Sequence, residues 1–88
     1  AEKIGIVNKV VKADELMDEA FAEMRDVLLH SSVALKYAKE SINSGLDVDL
    51  KTGIGIEVNA VGMVLASEDK KEGVKAFLEK RKPKFKNR

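Results

Sequence analysis

The sequence predicts a mainly α-helical fold, with one short N-terminal strand followed by four helices. Apolar residues recur every three or four positions through most of the chain, which is typical of helices that bury one face. The first dozen residues are instead rich in β-branched side chains and carry a glycine, a pattern that favours a strand. At 88 residues the chain forms at most one small domain with a thin core.

The predicted strand covers Ile4–Val11. A strand needs a neighbour to satisfy its backbone, and no other segment of this chain offers a convincing one. An unpaired apolar edge is also a liability for aggregation. The pattern therefore indicates that a further part of the fold precedes this segment.

The first two predicted helices have clear apolar faces. The first runs from Asp14 to His30, with Asp14 placed to cap its start and early acids suited to the positive end of the helix dipole. The second begins after the Ser31-Ser32 pair and ends at Asn43-Ser44-Gly45, where Gly45 is suited to the left-handed cap conformation.

The stretch 49–67 alternates locally like a strand around Gly53 and Gly55, but its longer apolar spacing of three and four favours a helix capped by Asp47 or Asp49. The last helix is predicted over 68–81 with Ser67 as its cap. Its expected apolar face consists of Val74, Phe77 and Leu78. Pro83 disfavours helix at the residue before it, so the tail is expected to be extended.

Composition excludes several classes of protein. The chain has no cysteine and one histidine, which argues against a disulfide framework and against a structural metal site. No apolar run is long enough to span a membrane and no secretory signal is visible, so we expect a cytoplasmic protein without membrane partners.

A search for catalytic residues finds no candidate, because no nucleophile motif, phosphate-binding glycine loop or metal-ligand spacing is present. His30 is interpreted as a helix C-terminal residue that interacts with the last carbonyls. The carboxylate pairs of the first helix are interpreted as a solvated face; they are Asp14 with Asp18 and Glu15 with Glu19.

The basic tail allows two interpretations. Six bases and no acid lie between Lys80 and Arg88, and two aromatic residues, Phe77 and Phe85, are interleaved with them. Such a pattern stacks on bases and neutralises phosphates in some nucleic-acid-binding proteins. The structural interpretation is preferred: Phe77 belongs to the core and the lysines keep the end of the chain in water.

Particular segments resemble the enoyl-CoA hydratase, or crotonase, family. Residues 1–11 are similar to the family's Gly-Leu-Val-Asn segment that leads into a Val-Val strand. Residues 32–39 resemble its Ser-Pro helix start, although Val33 replaces the proline, and Glu57 lies where the family carries a helix glutamate. Residues 67–85 match the closing motif Glu-Asp-x-x-Glu-Gly-x-x-Ala-Phe-x-Glu-Lys-Arg-x-Pro-x-Phe without a gap.

The resemblance covers the whole chain but only the last third of the family's length. It implies that residues 1–12 end a crotonase-like core, and that 13–88 are the C-terminal helical part of a crotonase-like α/β fold. The family's oxyanion donors and two catalytic glutamates would lie upstream of Ala1. No catalytic residue is therefore assigned in this chain.

The same resemblance implies roles in coenzyme A binding and oligomer assembly. Phe77 would pack near the adenine or pantetheine, Lys80 would meet a coenzyme phosphate, and Val61 would line the acyl end. Coenzyme A enters as the carrier part of an acyl-CoA thioester substrate, with no separate cofactor, and the family assembles as trimers or dimers of trimers.

The resemblance thus implies a segment of a lyase of fatty acid metabolism, an enoyl-CoA hydratase or 3-hydroxyacyl-CoA dehydratase, and we expect the segment alone to be inactive. Isomerases and other family reactions stay open, because the fold does not choose among them. The alternative is a free-standing helical module that binds nucleic acid through its tail; the acidic first helix argues against it.

Overall fold

The computed structural model describes all residues from Ala1 to Arg88. It contains four α-helices and no strand: α1 (Leu16–Val27), α2 (Ser32–Leu46), α3 (Leu50–Leu65) and α4 (Glu68–Leu78). A 3-10 turn, Ala13–Glu15, precedes α1. The four predicted helices are confirmed. None of them is both long enough and apolar enough to cross a membrane.

The predicted strand at Ile4–Val11 is wrong for this chain. The first residues instead form turns, in which the Gly5 N–H donates to the Glu2 carbonyl at 3.1 Å and the Ile6 N–H donates to the Ala1 carbonyl at 3.0 Å. Gly5 has a φ of 75°, which is possible without strain because glycine has no Cβ. With no partner strand among residues 1–88, the backbone satisfies itself locally.

Helices α2 and α3 pack against each other as a hairpin, and no other pair of helices makes more than marginal contact. A turn of three residues joins them, which makes the pair antiparallel. The backbones approach closely beside this turn: a Cβ added to Gly53 would lie 3.5 Å from the Gly45 carbonyl oxygen. This hairpin is the main helix–helix contact of the structure.

Two of the predicted helix caps are confirmed and two are wrong. The carboxylate of Asp49 accepts from the Thr52 N–H at 3.0 Å and the hydroxyl of Ser67 accepts from the Lys70 N–H at 3.1 Å, so both caps are confirmed. Asp14 caps nothing, because it lies inside the 3-10 turn. Gly45 is not a left-handed cap, because α2 continues through it to Leu46.

The chain does not enclose a hydrophobic core. Its radius of gyration is 16.3 Å, whereas a compact domain of this length would have about 12 Å. Ala76 is the only buried apolar residue, and Ser31 and Asp69 are the only buried polar ones. The predicted apolar face of α4 is exposed, which corrects the assignment of Phe77 to the core. The helices therefore present their apolar faces outward in this chain.

Helix α4 ends in a Schellman turn that places Lys80 in the left-handed region, with a φ of 54°. The Arg81 N–H donates to the Ala76 carbonyl at 3.0 Å and the Lys80 N–H donates to the Phe77 carbonyl at 3.2 Å. Glycine usually occupies this position, because a side chain there costs about 1 kcal/mol or more.

We therefore expect Lys80→Gly to stabilise the end of α4 by about 1 kcal/mol. The measurement is amide hydrogen exchange at Arg81, which should slow by about fivefold. Lys82→Gly is the matched control, because Lys82 has no positive φ and gains nothing from glycine. Equal behaviour of the two variants would show that the left-handed turn carries no strain.

Candidate functional site

The extended tail after Pro83 folds back along α4 instead of leaving the protein. The ring of Phe85 packs on Gly73, where an added Cβ would lie 3.5 Å from Phe85 Cε1. The Asp69 N–H donates to the Arg88 carbonyl oxygen at 2.9 Å. We call residues 82–88 the strap, since they lie along one side of α4 from end to end.

The carboxylate of Asp69 is the centre of this arrangement and is only 2% exposed. It accepts hydrogen bonds from the Ser31 hydroxyl at 2.5 Å, the Lys86 N–H at 2.7 Å and the Asn87 N–H at 3.0 Å. One side chain therefore joins the start of α2, the first turn of α4 and the strap.

Burial acts to raise the pKa of Asp69, because a charged carboxylate is poorly solvated inside the protein. The hydrogen bonds from Ser31 and from the strap amides favour the charged form and outweigh burial. The net result is that the pKa of Asp69 is lowered from its ordinary value. The groups that donate hydrogen bonds to Asp69 belong to α2 and to the strap, so the carboxylate has a structural role. This argues against a role for Asp69 as a catalytic acid or base.

Glu72, one turn further along α4, forms a second contact with the strap. Arg81 donates from Nη1 and Nη2 to the two oxygens of Glu72, at 2.6 and 3.0 Å, and the Lys84 N–H donates to the same carboxylate at 2.8 Å. The pairing with Arg81 and the bond from Lys84 lower the pKa of Glu72 to about 2. This two-point geometry is specific to a guanidinium and a carboxylate.

The strap also caps α2. Ser31 stands at the N-cap of α2 but makes no capping bond, because its hydroxyl is directed to Asp69. The side-chain oxygen of Asn87 accepts instead from the Ser32 N–H at 3.1 Å. An amide that would otherwise lack a partner at the helix start is thereby satisfied from 55 residues away.

The two residues predicted to bind coenzyme A lie at the far end of α4. Phe77 is 82% exposed, and Lys80 is exposed and forms neither an ion pair nor a side-chain hydrogen bond in the chain. They are three positions apart across the Schellman turn. An exposed aromatic ring and an unpaired ammonium therefore lie at the same end of α4.

Val61 lies elsewhere, in an open groove of about 660 Å³ between α2 and α3. The groove is mostly apolar and includes Tyr37, Ile42, Ile54 and Leu65. The structure does not bring Val61 to Phe77 or Lys80 through any helix–helix packing. Its suggested contact with an acyl chain stays a prediction.

The other sequence candidates have ordinary surroundings. His30 is exposed and its side chain makes no hydrogen bond, so the predicted contact with the last carbonyls of α1 is absent; α1 ends at Val27, short of the histidine. Asp14, Glu15 and Asp18 are exposed, and Glu19 forms an ion pair with Lys9. No group of His, Asp or Glu residues is arranged to hold a metal ion.

The basic tail, Lys80–Arg88, does not have the form of a wholly free arm. Arg81 is paired with Glu72 and Glu79, and Arg88 with Glu68. Phe85 is packed on the helix instead of being free to stack. Part of the basic charge that suggested a nucleic-acid partner is thus met by acids of the same chain, and the geometry gives that alternative no support.

Sequence reasoning missed the residues that organise this end of the protein, namely Asp69, Glu72 and Arg81. The signal was present, since all three belong to the closing motif. Charged residues at fixed distances from a glycine and a proline indicate a local structure as readily as a ligand site. The motif was interpreted through Phe77 and Lys80 alone.

The residues of the closing motif therefore form a helix, α4, with the strap bound along it. The sequence matches the family described as enoyl-CoA hydratase/isomerase over residues 1–88. The chain belongs to the enoyl-CoA hydratase/isomerase family.

Particular relatives agree with this assignment. The short-chain-enoyl-CoA hydratase of Clostridium acetobutylicum is 42% identical over 89 residues, which is 100% of this chain and 34% of the relative. The crotonyl-CoA hydratase of Syntrophomonas wolfei is 40% identical over 85 residues, which is 97% of this chain and 33% of the relative. The chain thus spans about a third of the length of these curated relatives.

Solved structures give the same result. The enoyl-CoA hydratase of Bacillus anthracis superposes with a TM-score of 0.90 at 35% identity, over 100% of this chain and 34% of that one. An enoyl-CoA hydratase/isomerase from Mycobacterium paratuberculosis superposes with a TM-score of 0.91 at 30% identity, over 100% and 35%. The helical fold is the predicted helical part of a crotonase fold.

The lowered pKa of Glu72 leads to a prediction about acid. A carboxyl group whose pKa falls from 4.5 to about 2 on folding stabilises the fold fully above 4.5 and loses that contribution as the pH falls towards 2. We expect the exchange protection of the Lys84 amide to decline through this window. NMR-detected hydrogen exchange, corrected for intrinsic rates, is the measurement.

In Glu72→Gln the protection of Lys84 should be weaker at neutral pH and should lack the decline between 4.5 and 2. Glu68→Gln is the matched control, because Glu68 pairs with Arg88 on the surface and accepts no strap amide. A decline in Glu72→Gln as steep as in the unaltered chain would assign the acid response to another group.

Proposed function

We propose that this chain is the coenzyme-A-contacting and assembly segment of an enoyl-CoA hydratase, a lyase that adds water to the double bond of an enoyl-CoA thioester. We call the complete polypeptide that carries it the parent enzyme. The observation that carries the proposal is the exposed pair of Phe77 and Lys80 on a fully matched family segment.

The chemistry of the pair suits a coenzyme A nucleotide. A flat aromatic ring that is 82% exposed offers a face on which adenine or the pantetheine arm can pack. An ammonium with no acidic partner in the chain is available for a phosphate. The acids nearest in sequence do not compete, because Glu79 pairs with Arg81 and approaches Lys75.

The exposed apolar helix faces support the assembly part of the proposal. A surface with this much apolar area usually marks an interface. The faces of α1 and of the α2–α3 groove would pack on the rest of the parent enzyme and on its sister subunits, as a trimer or a dimer of trimers. A cytoplasmic location and a place in fatty acid metabolism belong to the same proposal.

The catalytic groups of the parent enzyme are proposed to lie outside residues 1–88. Water addition needs donors for the thioester oxyanion and carboxylates that move protons. Asp69 and Glu72 accept hydrogen bonds from the strap, and Asp49 is used as the cap of α3. Glu57 is the one acid that lines the apolar groove between α2 and α3, so no pair of carboxylates faces that groove.

We accordingly expect the 88-residue chain to show no hydration of crotonyl-CoA. The loss of absorbance of the enoyl thioester would be followed with a complete hydratase as positive control. Turnover that persists at constant specific activity through further purification would contradict the proposal that the chemistry lies elsewhere.

A second prediction concerns Lys80 in the parent enzyme. Lys80→Ala should weaken binding by roughly 1.5–3 kcal/mol, the scale of a charge-assisted hydrogen bond, which is about a 10- to 150-fold rise in KM. The value of kcat should hold, because the contact is equal in ground and transition states. Initial rates at low ionic strength are the measurement.

Lys82→Ala is the matched control. It removes an equal charge two positions after Lys80, and Lys82 has ordinary backbone geometry. Phe77→Ala should raise KM in the same direction. A change of no more than about 0.5 kcal/mol for Lys80→Ala is what a solvated surface lysine gives, and would remove Lys80 from the binding site.

A further inference from the structure

We propose that Arg81 is a positioning residue for Lys80: by pairing with Glu72 and Glu79 it fixes the left-handed turn that directs the Lys80 ammonium to the coenzyme. This inference rests on the proposed function, because it assumes that Lys80 meets a phosphate. Arg81 itself would not touch the ligand.

The first observation is the backbone of Lys80. A lysine with a φ of 54° is in a conformation that non-glycine residues rarely adopt. Such a residue persists only where its surroundings hold it, and conformations of this kind occur often at functional sites. The left-handed turn also changes the direction of the Cα–Cβ bond from the one a continued helix would give.

The second observation is what holds the turn. The Arg81 guanidinium donates from Nε to Glu79 at 2.5 Å and from both Nη atoms to Glu72 at 2.6 and 3.0 Å. The residue before Lys80 and the residue after it are thus joined to each other and to the body of α4. The Arg81 N–H bond to Ala76 closes the same turn from the backbone side.

The third observation is the distribution of charge. The two carboxylates around Arg81 use its guanidinium and raise its pKa above the ordinary value. The positive charge of Arg81 is already compensated by these two carboxylates, whereas Lys80 beside it makes no ion pair in the chain. Arg81 therefore stabilises the turn, whereas the adjacent Lys80 is left available for a ligand.

The test uses the parent enzyme with two substrates, crotonyl-CoA and crotonyl-pantetheine, the second of which lacks the nucleotide and its phosphates. Arg81→Lys keeps the charge but loses the two-point pairing with Glu72. We expect it to raise KM for crotonyl-CoA by about threefold or more, to leave kcat within about twofold, and to leave KM for crotonyl-pantetheine unchanged.

The decisive comparison is the double variant. In a Lys80→Ala background, Arg81→Lys should have no further effect on KM, because there is no ammonium left to position. An equal rise of KM in both backgrounds, or an equal rise for both substrates, would overturn the positioning role. Arg88→Lys, which alters a surface pair with Glu68, is the control for loss of a guanidinium.

Further comparisons distinguish the different ways in which the expected result could be absent. Where Arg81→Lys lowers the melting temperature strongly, Glu72→Gln replaces it, since it removes the same pairing from the other side, and the same dependence on Lys80 is expected. Where Lys80→Ala alone leaves KM unchanged, the proposed coenzyme contact is wrong and the positioning role fails with it. Where Lys80→Ala raises KM but neither Arg81→Lys nor Glu72→Gln does, only the positioning role is wrong.

Discussion

Placing a carboxylate among helices with almost no water around it is unfavourable unless the protein supplies hydrogen-bond donors, and Asp69 receives three of them from two segments of the chain. Ser31 reaches it from the start of α2, and the backbone of Lys86 and Asn87 reaches it from the strap. Because those donors come from segments distant in sequence, satisfying this one group fixes their mutual arrangement. The path of the chain after Pro83 depends on it.

The strap compensates for what the chain lacks elsewhere. There is no hydrophobic core to orient α4 against the α2–α3 hairpin, and these elements make little direct contact. Hydrogen bonds from Ser31 to Asp69 and from the Ser32 N–H to Asn87 provide a connection that packing does not. The apolar faces are consequently left free for other surfaces, which agrees with a segment that completes a larger assembly.

The sequence predicted the local features well and the distant ones poorly. Helix positions and the caps at Asp49 and Ser67 depend on neighbours within four residues, which periodicity and side-chain chemistry describe directly. The strand at Ile4–Val11 fails because pairing needs a partner that no local pattern supplies. The cap at Gly45 fails because α2 continues through it to Leu46; Gly45 instead lies where the backbones of α2 and α3 approach each other, a tertiary contact that no local pattern describes.

The candidate site shows the same division. Phe77 and Lys80 came from the resemblance to a family, and their exposure is consistent with it, but no periodicity indicated that the Phe77 face would be uncovered. The roles of Asp69, Glu72 and Arg81 depend on the strap returning along α4, which a helix-by-helix analysis does not contain. The basic tail and the acids at the start of α4 were each visible in the sequence, but the sequence did not show that they contact each other.

The cap that Asn87 provides for α2 has a consequence for the order in which the chain acquires structure. Its two partners are 55 residues apart, so the contact closes a long loop and carries a correspondingly large entropic cost. On a ribosome, α2 and α3 can form their hairpin while the strap is still being synthesised. Until Asn87 emerges, the Ser32 N–H lacks its side-chain acceptor, and the bond from Ser31 to Asp69 is what joins the start of α2 to α4.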